Sequence, residues 1–548
     1  MAMVTGGQLV ARMLKAEGVR QVFTLSGLHV APIYAGCVEE GIQLVDTRHE
    51  QAAAHAADAY ARITRGVGVA VVTAGPGVTD ALTGVANAAS ASSPMILLGG
   101  AAPSFNAGRG SLQEIEQVGL FHRLAKWSDR VPSPEAVPNY LAKAFRVALS
   151  GRPGPVFLEL AWDVLCNAID ESQARLPTHY RTDARVAPDP KKIEQAIALL
   201  SHAERPAVIA GSSVWWDDAG AELRRLCERA QLPVFLNGAA RGTLPSGHPL
   251  FFQHTRKEAL SNADLVLVIG TPFDFRMNYG AEPTFSAGSK VVQIDIDPTE
   301  IGRNRPVEVG IIADSRSALA ALADAAPPAR RDAFLMGLRT AEAKKVATLD
   351  GWARSEQTPI HHYRLARELS QVAGQGDPMF VGDGGNFVAM AAKLIDLPGP
   401  GRWLDPGPLG CLGVGAPFAI AAKLLHPERT LWVVQGDGSF GFNGMEYETA
   451  LRFKLPMVCV VGNDAAWGQI RIPQVELFGE AKSPATLLRP TRYDEIVKAM
   501  GGYGEHVTES TQIRPALERA VASGTVACVN VVLDPQAPVK AGAIGYAV

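Results

Sequence analysis

The sequence predicts an α/β fold built from three doubly wound domains, each with a parallel sheet. Short apolar runs alternate with helical patterns along most of the chain, which is typical of parallel strands joined by crossover helices. Two polar, proline-bearing stretches interrupt this alternation, at 188–190 and 325–331. A chain of 548 residues is long enough for about three domains of roughly 150 to 200 residues each. We therefore expect domains at 1–170, 188–326 and 355–535, followed by a tail at 536–548.

The first domain is predicted to open with an amphipathic helix. Apolar residues at helical spacing end at Gly18, and this N-terminal stretch lacks the apolar run of a signal peptide. The next predicted elements are a strand at 22–25, a helix at 50–63, and strands at 67–73 and 95–98. Their order is that of a parallel sheet wrapped by helices.

The second and third domains are predicted to repeat this pattern. Strands are predicted for PAVIAG, LPVFLNG, DLVLVIG, KVVQIDID and GIIAD, with a helix at 191–202. A long helical connector after 331 leads to a helix at 362–372 and a strand at 379–381. The opening of the third domain, YRLARELSQVAGQGDPMFVGDGG, echoes LVARMLKAEGVRQVFTLSG in the first domain. The echo predicts two copies of one topology.

The composition excludes several classes of function. A formal net charge of −3 gives no basic field for nucleic acid, and no stretch of about 18 uncharged apolar residues could span a bilayer. The six cysteines are scattered without a CxxC pair, which is typical of reduced, buried thiols. No GxGxxG follows a strand of the middle domain, which argues against an NAD-dependent dehydrogenase. We expect a cytoplasmic protein with no nucleic-acid or membrane partner.

The stretch 431–469 combines two strand ends with acidic and glycine residues. A strand at 431–435 leads into the turn Gly436-Asp437-Gly438, a helix capped by Asn443 and running to 454, and a strand at 456–461. Asp464 lies 27 residues after Asp437, and the Ala466 carbonyl is two residues further on. Three hard oxygens suit Mg²⁺, and the glycines let backbone approach an anion. A lone GDG turn is more often a surface turn, but this pairing predicts a cation-bridged diphosphate site.

The stretch GDGSFGFNGMEYETALRFKLP followed by GND resembles the thiamine diphosphate motif of the acetolactate synthase and 2-hydroxyacyl-coenzyme A lyase superfamily. The resemblance implies Mg²⁺ held by Asp437, Asp464 and the Ala466 carbonyl. It also implies a pyrimidine-binding first domain, a central Rossmann-like domain and a diphosphate-binding third domain. Families of this type usually carry Asn-Asn where this chain has Asn463-Asp464, and Asp464 still offers a hard oxygen.

Residues 45–100 resemble the pyrimidine-binding domain of this superfamily, with TRHEQAAAHAADAYAR around Glu50. In the family, the matching glutamate hydrogen-bonds N1′ of the cofactor's aminopyrimidine and thereby activates it. That role needs apolar surroundings that raise the pKa of Glu50. The alternative is an ordinary first-turn acid, whose pKa the helix dipole would depress.

A third stretch, GRWLDPGPLGCLGVGAPFAIAAKL at 401–424, resembles the segment that bends the cofactor. It implies that Leu412 supports the bend and that the Gly410 carbonyl accepts from the 4′-amino group. Without the resemblance, Leu412 would be an ordinary core leucine. The cofactor-binding residues expected from the resemblance, besides Glu50, Gly410 and Leu412, are Gly384, Gly385, Asn386, Phe387, Gly436, Asp437, Gly438, Ser439, Asp464 and Ala466.

Three further residues are candidates for proton transfer. Gln113 in RGSLQEIEQ matches a family position near the reacting carbon, and the alternative is an exposed helix amide. His29 follows the first strand, in a loop that faces the cofactor in the family, although such a histidine is usually only solvent-facing. Glu495 begins a helix beyond the metal motif, where a solvated acid is the alternative. Because the family builds each site across two subunits, we expect a homodimer or homotetramer.

The segments LVDTRHEQ, WLDPGPLGCLGVGAPFA and GNDAAWGQIRIPQ look most like the 2-hydroxyacyl-coenzyme A lyase branch. The resemblance implies reversible cleavage of a 2-hydroxyacyl-coenzyme A thioester to formyl-coenzyme A and an aldehyde or ketone. One alternative is an acetolactate synthase, a carboligase that normally carries FAD, and another is a nucleotide-binding protein without catalysis. Gly270, Asp295 and Asp297 mark strand ends of the central domain where ADP is expected, and FAD less so. The tail at 536–548 is interpreted as a lid, with disorder as the alternative.

Overall fold

The computed structural model describes residues 2–537, so residues 538–548 of the predicted lid lie outside the described residues. The strands are β1 Met3–Thr5, β2 Gln21–Thr24, β3 Gln43–Asp46, β4 Gly68–Val72, β5 Met95–Ala101, β6 Trp127–Arg130, β7 Val156–Ala161, β8 Ala168–Asp170, β9 Pro206–Ala210, β10 Val234–Leu236, β11 Leu265–Ile269, β12 Lys290–Asp295, β13 Val309–Ile312, β14 Pro378–Asp383, β15 Trp403–Leu404, β16 Thr430–Gly436, β17 Met457–Asn463, β18 Tyr503–Val507 and β19 Val526–Val532.

The helices are α1 Gly6–Ala16, α2 Ala31–Glu40, α3 Glu50–Thr64, α4 Pro76–Ser90, α5 Val118–Phe121, α6 Val137–Leu149, α7 Trp162–Cys166, α8 Pro190–His202, α9 Ser213–Trp216, α10 Gly220–Ala230, α11 Arg256–Asn262, α12 Ser315–Ala325, α13 Asp332–Ala353, α14 His362–Ala373, α15 Asn386–Ala391, α16 Gly415–Leu425, α17 Asp437–Asn443, α18 Glu446–Arg452, α19 Gly468–Phe478, α20 Tyr493–Ala499 and α21 Ile513–Ala522. The long connector predicted after 331 is α13. No helix among the residues described is long and apolar enough to cross a membrane.

Three parallel sheets flanked by helices confirm the predicted α/β class. Their strand orders are β3-β2-β4-β5-β7-β6, β10-β9-β11-β12-β13 and β15-β14-β16-β17-β19-β18. Each sheet packs in an apolar core of its own, rich in valine, leucine, isoleucine and alanine. The short antiparallel pair of β1 with β8 joins the beginning of the chain to residue 170.

The first and third sheets have the same topology. When the strands of each sheet are numbered in chain order, both sheets read 2-1-3-4-6-5. The shared order confirms the duplication predicted from the two similar openings. In both sheets the second strand lies on one side of the first strand, and the third strand lies on the other side. The direction of strand order therefore reverses between the first and third strands, and ligands bind at the carboxyl ends of the strands beside such a reversal.

The packing of the chain defines two compact units. The first consists of residues up to 183 together with 405–428 and 439–457, and the second of 184–404, 429–438 and the residues from 458 on. In the first unit, α3 lies between α4 and α16. The alanines of α3 allow this close packing: a Cβ placed on Gly84 of α4 would lie 2.5 Å from the Cβ of Ala54.

The helix predicted to begin at Asn443 and run to 454 is wrong. The chain enters α17 directly at Asp437, so the predicted Gly-Asp-Gly turn is a helix start, and α18 is a separate helix. Gly444 separates the two helices because it lies under the ring of Phe440, where an added Cβ would come within 2.5 Å of the ring. Asn443 ends α17, and its side-chain amide donates to the Gly413 carbonyl at 2.7 Å instead of capping a helix.

His55 is a fully buried histidine on α3, edge-on to the ring of Phe418. Among residues 2–537, neither ring nitrogen of His55 has a hydrogen-bond partner. Burial lowers the pKa of His55 to about 4, and the nearby Asp58 carboxylate only partly opposes this shift. The folded protein therefore keeps His55 neutral at pH values where the unfolded chain protonates it.

Replacing His55 with leucine should make the protein less sensitive to acid. In the unfolded chain, His55 becomes protonated below its ordinary pKa of about 6.5, whereas in the folded protein it is protonated only below about pH 4. The free energy of unfolding thus loses about 2 kcal/mol from this group by pH 5. Melting curves at pH 7 and pH 5 should show a smaller drop for His55→Leu than for wild type. His202→Leu, at an exposed histidine, is the control and should follow wild type; equal drops for His55→Leu and wild type would contradict the prediction.

Candidate active site

Two glycine-lined strand ends in the second unit form a cradle that excludes side chains. Gly384 and Gly385 follow β14 with φ values of 59° and 96°, in the left-handed region that favours glycine. The Gly436 N–H at the end of β16 donates to the Gly384 carbonyl at 3.1 Å. A Cβ on Gly385 would lie 3.2 Å from the Gly436 Cα. The two strand ends therefore meet backbone to backbone, with no side chain between them.

A buried pair of carboxylates lies beside this cradle. Asp437 is only 2% exposed, and burial together with the charge of Asp464 raises the pKa of Asp437 to about 7. Within the part of the chain that the structure describes, its Oδ2 has no hydrogen-bond partner. His362 Nε2 lies 3.9 Å from Asp464 Oδ2. Two acids held together with an unsatisfied oxygen fit the donor set of a divalent cation.

The turn after β17 orients the second half of this site. Ala465 has a φ of 51°, which is unfavourable for a residue with a Cβ, and its N–H donates to the Asn463 side chain at 3.2 Å. The Asn463 amide in turn donates to the Thr491 carbonyl at 3.0 Å and to Asn530 at 3.1 Å. Asn463 thus fixes the turn. Asp464 and Ala466, on either side of Ala465, lie near Asp437: the Asp437 carboxylate accepts a hydrogen bond from the Ala466 backbone and is affected by the charge of Asp464.

Further glycines lie beside other predicted residues of the second unit. A Cβ on Gly468 would lie 2.3 Å from Asn386 Nδ2 and 2.7 Å from Asp464 Oδ2, so these two side chains converge there. Gly438 lies under the ring of Trp467, and Phe387 packs on Gly462. The second unit therefore assembles eight predicted cofactor residues: Gly385, Asn386, Phe387, Gly436, Asp437, Gly438, Asp464 and Ala466.

Glu50 is the first residue of α3, in the first unit. His49 caps this helix, because its Nδ1 accepts the Gln51 N–H at 3.1 Å. Glu50 is 8% exposed, and burial raises its pKa although its own backbone N–H acts in the opposite direction. The nearby Asp80 raises the pKa further. The alternative of a dipole-depressed first-turn acid is therefore wrong, because desolvation outweighs the helix terminus.

Thr73 lies between Glu50 and His29. A Cβ on Gly77 would lie 2.8 Å from Thr73 Cγ2 and 3.3 Å from Glu50 Oε1. His29 Nδ1 is 3.0 Å from Thr73 Oγ1, and burial lowers the pKa of His29. Burial thus favours the neutral form of the half-buried imidazole, and its Nδ1 has a hydrogen-bond partner. His29 is not the freely solvated loop residue of the alternative interpretation.

A buried polar network holds the loop that carries Gln113. The Gln113 backbone has a φ of 62° and lies on Gly75, where an added Cβ would come within 2.6 Å of the Gln113 carbonyl. The Gly75 N–H donates to Gln117 Oε1 at 2.8 Å, and Gln117 Nε2 donates to Glu159 Oε2 at 2.8 Å. Arg130 pairs with Glu159. Gln113 is half-buried and does not lie on a helix, contrary to the alternative.

Gln117 and Glu159 were not predicted from the sequence as members of this network. The signal for Glu159 was present, since it is the one charge in the apolar run VFLELA that forms β7. A charged residue in a fully buried strand needs a partner, and here the partners are Gln117 and Arg130.

From residue 405 on, the segment predicted to bend the cofactor lies in the same unit as Glu50. Gly410 is exposed with a φ of 68°, and Leu412 is half-buried just before α16. Leu412 is not among the buried core residues, which argues against the alternative of an ordinary core leucine. The Gly413 carbonyl that follows accepts from Asn443, which ties the segment to α17, and Ser439 is buried on α17.

Two other groups of predicted residues have local partners. The side chain of Glu495 is about half exposed and pairs with Arg492 at 3.1 Å and Lys498 at 3.0 Å. In the central domain, Asp295 accepts the Asp297 N–H, and Asp297 accepts the Thr299 N–H, both at 2.9 Å. These carboxylates close local turns, which gives no support to the expected ADP site.

Comparison with known proteins gives matches along most of the chain. Models of the thiamine pyrophosphate enzymes match at 4–120 (N-terminal TPP binding domain), 193–322 (central domain) and 383–531 (C-terminal TPP binding domain). A "Probable acetolactate synthase" of Mycobacterium bovis is 41% identical over 533 residues, which cover 96% of each chain.

Relatives named "2-hydroxyacyl-CoA lyase 2" are similar over nearly the same length. That of Caenorhabditis elegans is 37% identical over 561 residues, covering 94% of this chain and 87% of its own. That of Homo sapiens is 35% identical over 545 residues, covering 91% and 84%. With three family domains matched in order, the chain belongs to the thiamine pyrophosphate enzymes.

Proposed function

We propose that this protein is a thiamine diphosphate- and Mg²⁺-dependent carbon–carbon lyase that cleaves a 2-hydroxyacyl-coenzyme A to formyl-coenzyme A and an aldehyde or ketone. The observation that carries the proposal is the buried carboxyl group of Glu50, whose raised pKa suits proton exchange with the cofactor's aminopyrimidine. The lyase branch is supported by the segments LVDTRHEQ, WLDPGPLGCLGVGAPFA and GNDAAWGQIRIPQ, and by the relatives that bear the lyase name.

The second unit would hold the diphosphate end of the cofactor. Asp437, Asp464 and the Ala466 carbonyl would bind Mg²⁺, which removes the repulsion between the two acids. The glycine cradle at Gly385 and Gly436 admits the phosphate oxygens, and Asn386 offers an amide donor. Once bound, the cofactor supplies a carbon nucleophile and an electron sink for the bond that breaks.

Residues of the first unit would manage the protons. Glu50, whose pKa burial raises, would share a proton with the pyrimidine. Burial lowers the pKa of His29 and so favours its neutral form. With Nδ1 donating to Thr73 Oγ1, its Nε2 would accept the proton of the substrate's 2-hydroxyl group. Gln113 donates hydrogen bonds to the reacting oxygen. Glu495 stays a third candidate, although its pairing with Arg492 and Lys498 competes with such a role.

We also propose that the protein works as a homodimer or a dimer of dimers with coenzyme A thioester as substrate. In the family, the activating glutamate and the metal motif of one site come from different subunits. The domains would be 1–170 for the pyrimidine, 188–326 at the centre and 355–535 for the diphosphate. The family matches at 4–120, 193–322 and 383–531 fall inside these boundaries and support them.

The second candidate is an acetolactate synthase, which the 41% identity to the Mycobacterium bovis relative favours. The two reactions are separated by supplying the purified protein with thiamine diphosphate and Mg²⁺, and with either pyruvate or a series of 2-hydroxyacyl-coenzyme A thioesters. We expect formyl-coenzyme A from the thioesters and no acetolactate from pyruvate. Acetolactate as the main product, with the yellow absorbance of bound flavin, would establish the synthase instead.

A further inference from the structure

Helix α18 contacts the short loop at 47–49 that leads into Glu50. Glu446, the first residue of α18, is only 1% exposed, and its Oε1 accepts the Arg48 N–H at 2.9 Å. The His49 N–H also donates to this carboxylate. Thr449 Oγ1 donates to Glu446 Oε2 at 2.7 Å and fixes the orientation of the carboxylate. All of these residues lie in the first unit.

A second contact holds the other end of the same loop. Arg452, on the last turn of α18, donates through Nη2 to the Asp46 carbonyl at 2.7 Å and through Nη1 to the Asp46 carboxylate at 2.5 Å. Asp46 ends β3, so the loop between β3 and α3 is fixed from both sides. The contact from Glu448 to the Arg48 guanidinium at 4.0 Å joins two partly exposed side chains and fixes no backbone. Glu448 also pairs with Arg452 Nε at 3.4 Å, within α18.

The Glu446 contact matters because of where the loop ends. Arg48 and His49 precede α3, and their N–H groups have no acceptor within the helix. His49 has an extended backbone with φ −153° and ψ 140°, and Glu50 is the next residue. A rotation about the Arg48 or His49 backbone would therefore swing the Glu50 side chain. Keeping an acid buried at this place is costly, as the raised pKa of Glu446, about 7, indicates.

We propose that Glu446 is a positioning residue that sets the location of the Glu50 carboxyl group by binding the backbone of Arg48 and His49. The inference rests on the proposed role of Glu50 in activating the cofactor. Glu446 itself touches neither the cofactor nor the substrate in this proposal. Its contribution is to keep the activating acid in the geometry that proton exchange requires, where a displacement of about 1 Å costs roughly 100-fold in rate.

The test compares Glu446→Ala, Glu446→Gln and Glu448→Gln in the enzyme loaded with thiamine diphosphate and Mg²⁺. The main readout is the rate at which the C2 proton of the bound cofactor exchanges with deuterium, followed by NMR after acid quench. Turnover with separate kcat and KM, and cofactor affinity, are measured alongside. Glu446→Ala should slow exchange and kcat by about 10- to 100-fold while KM and cofactor affinity change by less than about threefold.

The amide of Glu446→Gln can accept from the Arg48 N–H and donate to the Thr449 hydroxyl, so this variant should exchange within about threefold of wild type. Glu448→Gln, on the same helix, removes a charge but keeps a side-chain oxygen that can accept from Arg452, so it should match wild type. An unchanged exchange rate in Glu446→Ala overturns the proposal. So does a Glu446→Gln variant as slow as Glu446→Ala, because charge and not backbone binding would then be required.

Thr449→Val serves if Glu446→Ala fails to fold, because it removes only the hydroxyl that orients the carboxylate. It should slow exchange by about three- to tenfold, and wild-type exchange in this variant overturns the proposal. Failure of the proposed function is recognised separately. Fast exchange in Glu50→Gln would remove Glu50 from activation whatever Glu446 does, and the identity of the product does not enter this readout.

Discussion

Replacing Glu50 with glutamine should lower turnover by about 10²- to 10⁴-fold, the usual contribution of a positioned proton-transfer group. Glutamine has nearly the same volume and can still form a hydrogen bond, so cofactor binding should change little. What it cannot do is exchange a proton with the aminopyrimidine. The effect should therefore fall on kcat and on exchange of the C2 proton, while the enzyme keeps its cofactor and its fold.

Asp80→Asn is the matched control for this change. Asp80 is an exposed residue of α4, and its charge raises the pKa of Glu50. Its replacement should leave turnover within a few-fold of wild type, since burial is the larger cause of the shift. Near-normal turnover in Glu50→Gln, measured on the enzyme saturated with cofactor, would exclude Glu50 from the chemistry.

The sheets could be predicted from sequence because their strands are short apolar runs separated by helical patterns. The strand ends that carry Gly436 and Asp464 were found in the same way, and the shared topology of the first and third sheets confirms the echo of their openings. The prediction failed at Asn443, where polar residue type suggested a cap. Contact of Gly444 with Phe440 and of Asn443 with Gly413 decided the local structure instead.

Residues that act through distant partners could not be found from local pattern. Glu446 lies 398 residues from Arg48, and nothing in MEYETALRF distinguishes it from the half-exposed Glu448 two positions on. Gln117 and His362 were missed for the same reason, since each has its partner on another element. The family resemblance supplied Glu50 and Leu412, while the burial that raises the pKa of Glu50 came only from the packing of α3.

Replacing Asp437 with alanine should weaken Mg²⁺-dependent cofactor binding by more than about 100-fold, since even residues behind the metal ligands typically cost 10- to 100-fold. The cation-free protein should at the same time become more stable at pH 8, because the change removes one of two buried like charges. Calorimetry of cofactor binding and melting curves with and without Mg²⁺ and cofactor measure both effects. Ligand should raise the melting temperature of wild type and hardly that of Asp437→Ala.

Asp464→Asn distinguishes the loss of a ligand from the loss of a charge. Its side-chain carbonyl restores the Asn-Asn pair that related families carry and keeps an oxygen for the cation, so cofactor affinity should fall by no more than about tenfold. Burial is the main cause of the raised pKa of Asp437, and the charge of Asp464 adds to it. Asp464→Asn removes that charge, so the cation-free protein should be stabilised as in Asp437→Ala. If Asp437→Ala bound Mg²⁺ and cofactor as tightly as Asp464→Asn, the buried carboxylates would not be the cation site, because only one of the two variants retains both oxygen ligands.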